Sequence, residues 1–267
     1  FIGGKNMRFI VCIKQVPDTT NVKIDKRTGR LMREGIPSII NPEDKNALEE
    51  ALKLKEKFGG EVIVISMGPP QADEALREAI AMGADRAILL TDRAFAGADT
   101  MATAYSLGSA IKKIGKYDLV LCGRQAIDGD TAQVGPQLAE FLKVPQITYV
   151  LDVNIEDNKI TAIQELEDKR VKWEANLPAL LTVTSEVNKP RYPSAYGIIS
   201  AYREKEVEIW EKKDLDVDEK RIGMDGSPTS VKRIFSPEPK GEGEIIKEDP
   251  KKSAEILFNR LRAKNII

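Results

Sequence analysis

The chain has no histidine in its 267 residues. That single absence excludes Ser-His-Asp catalysis, imidazole general bases and histidine-ligated metal sites. Cysteine is scarce too. The two present lie inside apolar runs, Val11-Cys12-Ile13 and Leu121-Cys122-Gly123, and read as buried strand residues rather than a disulfide or metal ligands. No apolar run is long enough to cross a bilayer and no secretory leader is legible, so direct membrane insertion is not expected and the cytoplasm is the expected location. A net charge of −1 and a pI of about 5.9 give no electrostatic ground for binding nucleic acid or an anionic membrane. Redox or group-transfer chemistry in such a chain has to come from a bound cofactor.

What remains is a globular composition, 42% hydrophobic and 31% charged, in a length that suits one large domain or a domain with an appendage. Residues Phe1 to Asn6 precede Met7 and read as an unrelated extension, with Met7 as the natural start. Apolar runs at Phe9–Ile13, Val62–Ile65, Ala87–Leu90 and Leu119–Cys122 predict buried strands. Helical patterns from Asn41, Pro70, Asp99 and Pro136 alternate with them. Asn41-Pro42-Glu43-Asp44 is a strong helix start, with Asn as cap, Pro in the first position and two acids at the positive end of the dipole. Strands alternating with helices predict an α/β fold, a doubly wound and mostly parallel sheet covered on both faces. Pro17 to Gly35 reads as an irregular hairpin turning at Thr28-Gly29. Val150–Ile155, Lys159–Leu166, Arg170–Glu174 and Leu180–Val183 read as antiparallel strands added to the same domain. Residues 7–210 then form the α/β domain. Residues 211–267 form a charged C-terminal tail whose last helix, capped by Asp249, docks either on its own domain or round a partner subunit.

The segment with the most chemical content follows the fourth strand: Gly123, Arg124, Gln125, Ala126, Ile127, Asp128, Gly129, Asp130, Thr131, Ala132, Gln133, Val134, Gly135, Pro136 and Gln137. A loop rich in Gly and Asp between strand and helix is where α/β proteins bind nucleotides. With Pro136 in the first helical position, the N–H groups of Gln133, Val134 and Gly135 stay free for a ligand. Asp128 and Asp130 repel phosphate, so they are expected at a ribose, a cation or the loop's own backbone. Such glycines also occur simply as tight-turn residues. Further on, Tyr192, Tyr196, Ile198, Ile199 and Tyr202 crowd a short stretch, which suits either a docking surface or the packing of a helix start.

From Met7 to at least Trp210 the chain resembles the β subunit of electron transfer flavoproteins. The resemblance rests on several segments in order: Lys14-Gln15-Val16-Pro17-Asp18, Asn41-Pro42 with Ala51-Leu52-Lys53-Leu54-Lys55, Ser66-Met67-Gly68-Pro69, Ala81-Met82-Gly83-Ala84-Asp85-Arg86, Gly123 to Asp128, and Asn188-Lys189-Pro190-Arg191-Tyr192. It implies a Rossmann-like domain paired with an α subunit that carries one FAD. The nucleotide held here is AMP in one branch. In the electron-bifurcating branch it is a second FAD, reduced by NADH, with one electron passing toward ferredoxin and one toward the α-subunit FAD. The form Asp128-Gly129-Asp130-Thr131-Ala132-Gln133-Val134-Gly135-Pro136 looks like the bifurcating members. By the same match the nucleotide pocket includes Cys12, Asn41, Pro42, Glu43, Asp44 and Met67 besides the Gly123–Gln137 loop. Arg124 is the best cation for a pyrophosphate or a reduced, anionic flavin, or else a surface salt bridge.

Pro190, Arg191, Tyr192, Ala195 and Tyr196 match the loop that reaches a dehydrogenase or quinone-reducing partner, through which a membrane association would arise. The tail is expected on the α subunit. No residue need act as acid, base or nucleophile, so the chain reads as an electron-carrier subunit of an oxidoreductase complex. Two other classes compete. A universal-stress-like nucleotide sensor would lack the docking signature and the long tail. An adenylating enzyme would carry a Gly-rich pyrophosphate motif after the first strand, where Lys14 to Asp18 stand instead.

Overall fold

The computed structural model describes residues 6–18, 23–24, 31–32, 37–230, 232 and 243–267, with backbone alone at 23–24 and 31–32. The described elements are, in chain order, β1 (Met7–Cys12), β2 (Gln15–Pro17), β3 (Lys23–Ile24), β4 (Leu31–Met32), β5 (Ser38–Ile40), α1 (Pro42–Phe58), β6 (Gly60–Met67), α2 (Asp73–Met82), β7 (Arg86–Leu90), α3 (Thr100–Ile114), β8 (Leu119–Gly123), α4 (Val134–Leu142), β9 (Gln146–Glu156), β10 (Lys159–Glu165), β11 (Arg170–Asn176), β12 (Ala179–Val183), α5 (Ala195–Arg203), β13 (Val207–Trp210) and α6 (Pro250–Ala263).

Nine strands form one sheet in the order β11-β10-β9-β12-β8-β1-β6-β7-β13. The apolar strands read alternately to its two faces, as a period-2 backbone requires. Phe9, Val11, Val62, Val64, Leu119 and Leu121 pack on the side of α1 and α2. Ile10, Cys12, Ile63, Ile65, Val120 and Cys122 pack on the side of α3 and α4. These strands are buried on both faces, so they read as continuous hydrophobic runs. β1 lies between β6 and β8, and all three run parallel. The chain builds outward from β1 through β6 and β7, then returns by α3 to place β8 on the other side of β1. The strand order therefore reverses between β1 and β8, and the loops after those two strands open a crevice at the carboxyl edge of the sheet.

The sheet departs from expectation in two places. β12 was expected among the antiparallel additions. It instead runs parallel, inserted between β8 and β9. Only the β9–β10–β11 meander is antiparallel. All five residues of β12 are buried, which is the mark of a central strand and not of an added edge. β13, which the sequence pattern did not single out, closes the opposite edge beside β7. β3 and β4 pair as the expected hairpin, while its Thr28-Gly29 turn lies outside the described residues, as do residues 1–5.

The first compact unit runs on to Ser230, twenty residues past the expected break, and the second comprises Val231–Ile267. Residues 211–230 are tied to α3. Asp218 N–H donates to the Tyr105 hydroxyl (2.8 Å), the Arg221 guanidinium lies 4.1 Å from the Tyr105 ring centre, and Asp99, which caps α3, also accepts from Thr229 N–H (3.0 Å). Leu215 and Ile222 are buried. In the second unit α6 starts as expected at its Asp249 cap, and Leu257 and Phe258 on it are exposed.

Leu121 is fully buried in the middle of β8, facing α1. Leu121→Ala should cost about 2–5 kcal/mol, read as a lowered midpoint in urea unfolding.

Candidate functional site

The crevice between β1 and β8 is assembled by the first turn of α1. Asp44 Oδ2 accepts from Lys14 N–H (2.8 Å), just past β1. Its Oδ1 accepts from Gly123 N–H (3.1 Å), at the end of β8. One buried carboxylate thus ties both strand ends to one helix start. The helix comes so close that a Cβ on Gly123 would lie 2.4 Å from Asp44 Oδ1 and 2.7 Å from the Glu43 carbonyl carbon, so only glycine fits there. Glu43 Oε2 accepts from Gln125 N–H (3.0 Å), and its Oε1 pairs with Arg124 Nη2 (3.0 Å).

Asn41 occupies the N-cap position of α1, but its side chain does not cap the helix. Instead its Nδ2 donates to the Gln125 carbonyl (2.8 Å) and its Oδ1 accepts from Ile127 N–H (3.0 Å). The expectation of a side-chain cap is corrected here. The nearby loop backbone presents a donor and an acceptor that a buried amide satisfies together. Pro42 holds the first helical position. Burial pushes Asp44 up from 3.8 to about 7, against the pull of its three hydrogen-bond donors, Lys14 N–H, the Asn41 side chain and Gly123 N–H. Burial also raises Glu43, while Gln125 N–H and Arg124 pull it down.

The loop acids find partners within the protein. Asp128 takes both oxygens to Lys14 Nζ (2.7 and 2.8 Å), and Asp130 accepts from the Gln125 side-chain amide. Lys14, which no local pattern marks as a site residue, is the cation that neutralises Asp128. Asp130 and Ala132 adopt φ of 52° and 53°. Gln133 follows in the right-handed region. The change of sign in φ from Ala132 to Gln133 is of the kind found in anion-binding nests. α4 begins at Val134, so Pro136 is its third residue and not its first. Among the described residues, the five N–H groups from Thr131 to Gly135 find no protein acceptor. No side chain or backbone atom beyond its chain neighbours lies within 4 Å of where a Cβ on Gly129 would be.

Gly135 packs α4 against Thr182 of β12, at 2.4 Å for a built Cβ. Gln137 follows in the helix with a buried, unpartnered Oε1. Ala126 accepts from Gly129 N–H and Asp130 N–H, which closes the loop's turn. Cys12 and Cys122 are buried, free and directly paired across β1 and β8. Met67 ends β6, half-buried at the same edge, and makes no hydrogen bond to the loop. The cleft of about 470 Å³ lined by Lys116, Tyr117 and Pro178 opens at the amino end of β8, away from this crevice.

The second cluster lies further along α1. Arg191 forms a two-pronged pair with Glu49 (2.8 and 3.0 Å) and reaches Glu56 (2.5 Å), which raises its pKa. Asn188 and Asn46 exchange hydrogen bonds beside it. Arg191 therefore anchors the segment to α1, and Pro190 precedes that anchor. Tyr192 and Tyr196 are left 88% and 72% exposed, with Ile199 and Tyr202 also at the surface. Ala195 opens α5 after the Ser194 cap.

Residues 28–215 match the electron transfer flavoprotein domain. The chain is 56% identical over 261 residues, covering 98% of it and 100% of the relative, to the electron transfer flavoprotein subunit beta of Thermoanaerobacterium thermosaccharolyticum. It is 54% identical to the caffeyl-CoA reductase-Etf complex subunit CarD of Acetobacterium woodii, covering 98% of this chain and 100% of that one. It is 44% identical to protein FixA of Bradyrhizobium diazoefficiens, covering 96% of this chain and 91% of that one.

Because the folded pKa of Asp44 lies above that of an unfolded aspartate, the folded chain holds a proton between about pH 4 and 7 that the unfolded chain has released. Stability from this group is full below pH 4 and is lost as pH rises to about 7. Relative to Asp44→Asn, the wild type should lose stability across that window and run parallel above it, in urea midpoints taken from pH 4 to 8.

Proposed function

Because the chain belongs to the electron transfer flavoprotein family, with full-length similarity to its β subunits, we propose that it binds a flavin adenine dinucleotide in the β1–β8 crevice and pairs with a flavin-bearing α subunit. In this reading NADH is the donor, and electrons leave singly toward ferredoxin and toward the α-subunit flavin. The observation that carries it is the run of five unpaired N–H groups from Thr131 to Gly135 at the start of α4. A helix start preceded by that change of sign in φ suits phosphate, and five donors suit a pyrophosphate better than the single phosphate of AMP. The donor set fits the group in other respects. Arg124 is held at the start of the loop by its pair with Glu43, Lys14 cancels Asp128, and Gly129 leaves its flank open.

Bound there, the dinucleotide supplies hydride acceptance and one-electron release. The residues of the chain hold and tune it. The unpaired N–H groups and the α4 dipole take the phosphates. Asn41 and Glu43 fix the loop that presents them. Arg124, paired with Glu43, keeps a buried Nε–H without an acceptor beside the loop. The similarity to a subunit named for a caffeyl-CoA reductase-Etf complex supports assembly with an acyl-CoA-type reductase as well as the α subunit. The exposed Tyr192 and Tyr196, on a segment braced by Arg191, suit the surface that meets such a dehydrogenase or a quinone-reducing partner. The exposed Leu257 and Phe258 of α6 suit the contact with the α subunit.

Acid release from the purified heterodimer should yield two FAD per αβ pair; one FAD with one AMP overturns the dinucleotide reading. Tyr196→Ala should slow partner reduction about tenfold, in line with the loss of one interface anchor, while nucleotide content stays unchanged. Unaltered rates with every partner tested would remove the docking assignment.

A further inference from the structure

Tyr149 stands in β9 with φ of 54°, a left-handed conformation that aromatic residues rarely adopt. The cause is local. Leu181 of β12 lies opposite Ile147 and Val183 lies opposite Val150, so two residues, Thr148 and Tyr149, face Thr182 alone. This bulge bends β9 near the carboxyl edge of the sheet, and Tyr149 N–H reaches Thr182 Oγ1 (3.3 Å) instead of a ladder carbonyl. The tyrosine ring is 38% exposed. Its one charged neighbour in ring contact is Arg124, whose guanidinium carbon lies 5.7 Å from the ring centre.

Arg124 is fixed on two sides. Its N–H donates to the Val183 carbonyl (2.8 Å) and its Nη2 pairs with Glu43 (3.0 Å). Its Nε is buried without an acceptor, and the hydroxyl of Thr184, one residue beyond Val183, is buried and unpartnered too. Strain, a bulge and unpaired buried polar atoms thus meet at one end of β12. Core stability does not account for the tyrosine. Glycine would occupy the same φ without strain, and the ring is too exposed to repay the cost by burial.

What the arrangement offers is an aromatic ring with a guanidinium over one side and the rest partly exposed, contiguous with the loop that starts at Gly123. A planar, electron-poor heteroaromatic ring with carbonyl oxygens matches both groups. It stacks on the phenol and turns its oxygens to the cation. We propose that Tyr149 and Arg124 receive the flavin ring of the dinucleotide, with Tyr149 the contact that favours FAD over AMP in this crevice. The inference rests on the dinucleotide reading above. AMP has no second ring to place there, so removing the tyrosine ring weakens FAD and leaves AMP alone.

The test uses the αβ heterodimer freed of its second nucleotide, titrated separately with FAD and AMP, as wild type and as Tyr149→Phe, Tyr149→Leu and Tyr149→Gly. The Leu and Gly variants should lose at least tenfold in FAD affinity and the visible circular dichroism of the second flavin, with AMP affinity within twofold of wild type. Tyr149→Phe should bind as the wild type does. Tyr149→Gly should melt at or above the wild-type temperature because the strained φ is relieved, which separates ring contact from folding. Equal FAD affinity and dichroism in all four proteins would overturn the inference, and so would parallel losses of FAD and AMP. A wild type that takes AMP but no second FAD would remove the dinucleotide reading and this inference with it. A wild type that takes FAD while the variants match it would remove this inference alone.

Discussion

The carboxylate of Asp44, held between Lys14 N–H and Gly123 N–H, is the contact on which the ligand edge depends. A parallel sheet ends in frayed loops unless something satisfies the backbone groups at its carboxyl edge. Here one buried side chain does so for two neighbouring strands. It requires the α1 start to press against β8, and that requires glycine at 123. The cost appears in the chemistry of the acid itself, whose burial lifts its pKa toward neutrality. Asp44 is therefore a structural group rather than one aimed at a ligand, though it stands in the middle of the candidate site.

From that contact α1 works as a common beam. Its first turn grips the Gly123–Gln137 loop through Asn41, Glu43 and Asp44. From its second turn to its last, Asn46, Glu49 and Glu56 grip the segment carrying Tyr192 and Tyr196. The anchoring pairs are charge-assisted, and Glu49 is buried, so the geometry is held firmly. A rigid element shared by the candidate nucleotide site and the exposed tyrosines keeps the distance between them constant. The side chains left exposed, the tyrosines, are free of that structural duty.

Strain gathers at the same edge. Asp130, Ala132 and Tyr149 all have positive φ, and Arg124 Nε, Gln137 Oε1 and Thr184 Oγ1 are buried without partners. The central strands β1, β6, β7 and β8 pair in unbroken register and are buried along most of their length. A fold with such a core can carry local strain where ligand binding gains from it.

Much of this was legible along the chain. The apolar runs of β1, β6, β7 and β8, the helix starts at Asn41-Pro42 and near Asp99, the Asp249 cap and the Gly123–Gln137 loop are written in local pattern, because period and capping chemistry act over a few residues. The residues of the loop and of the exposed tyrosine segment were likewise visible as residue types. The sequence alone therefore determined the doubly wound class, the excluded chemistries and the neighbourhood of the site. Tertiary structure decided the rest. It placed β12 inside the sheet, since β propensity does not say which strand a strand will pair with. It turned Asn41 from a cap into a latch, because its partners lie more than eighty residues away. It put Lys14 on Asp128, spent Arg191 on Glu49 and brought Tyr149 beside Arg124. Each of these is a pairing between distant segments, fixed by strand order and close packing, and no local periodicity encodes it.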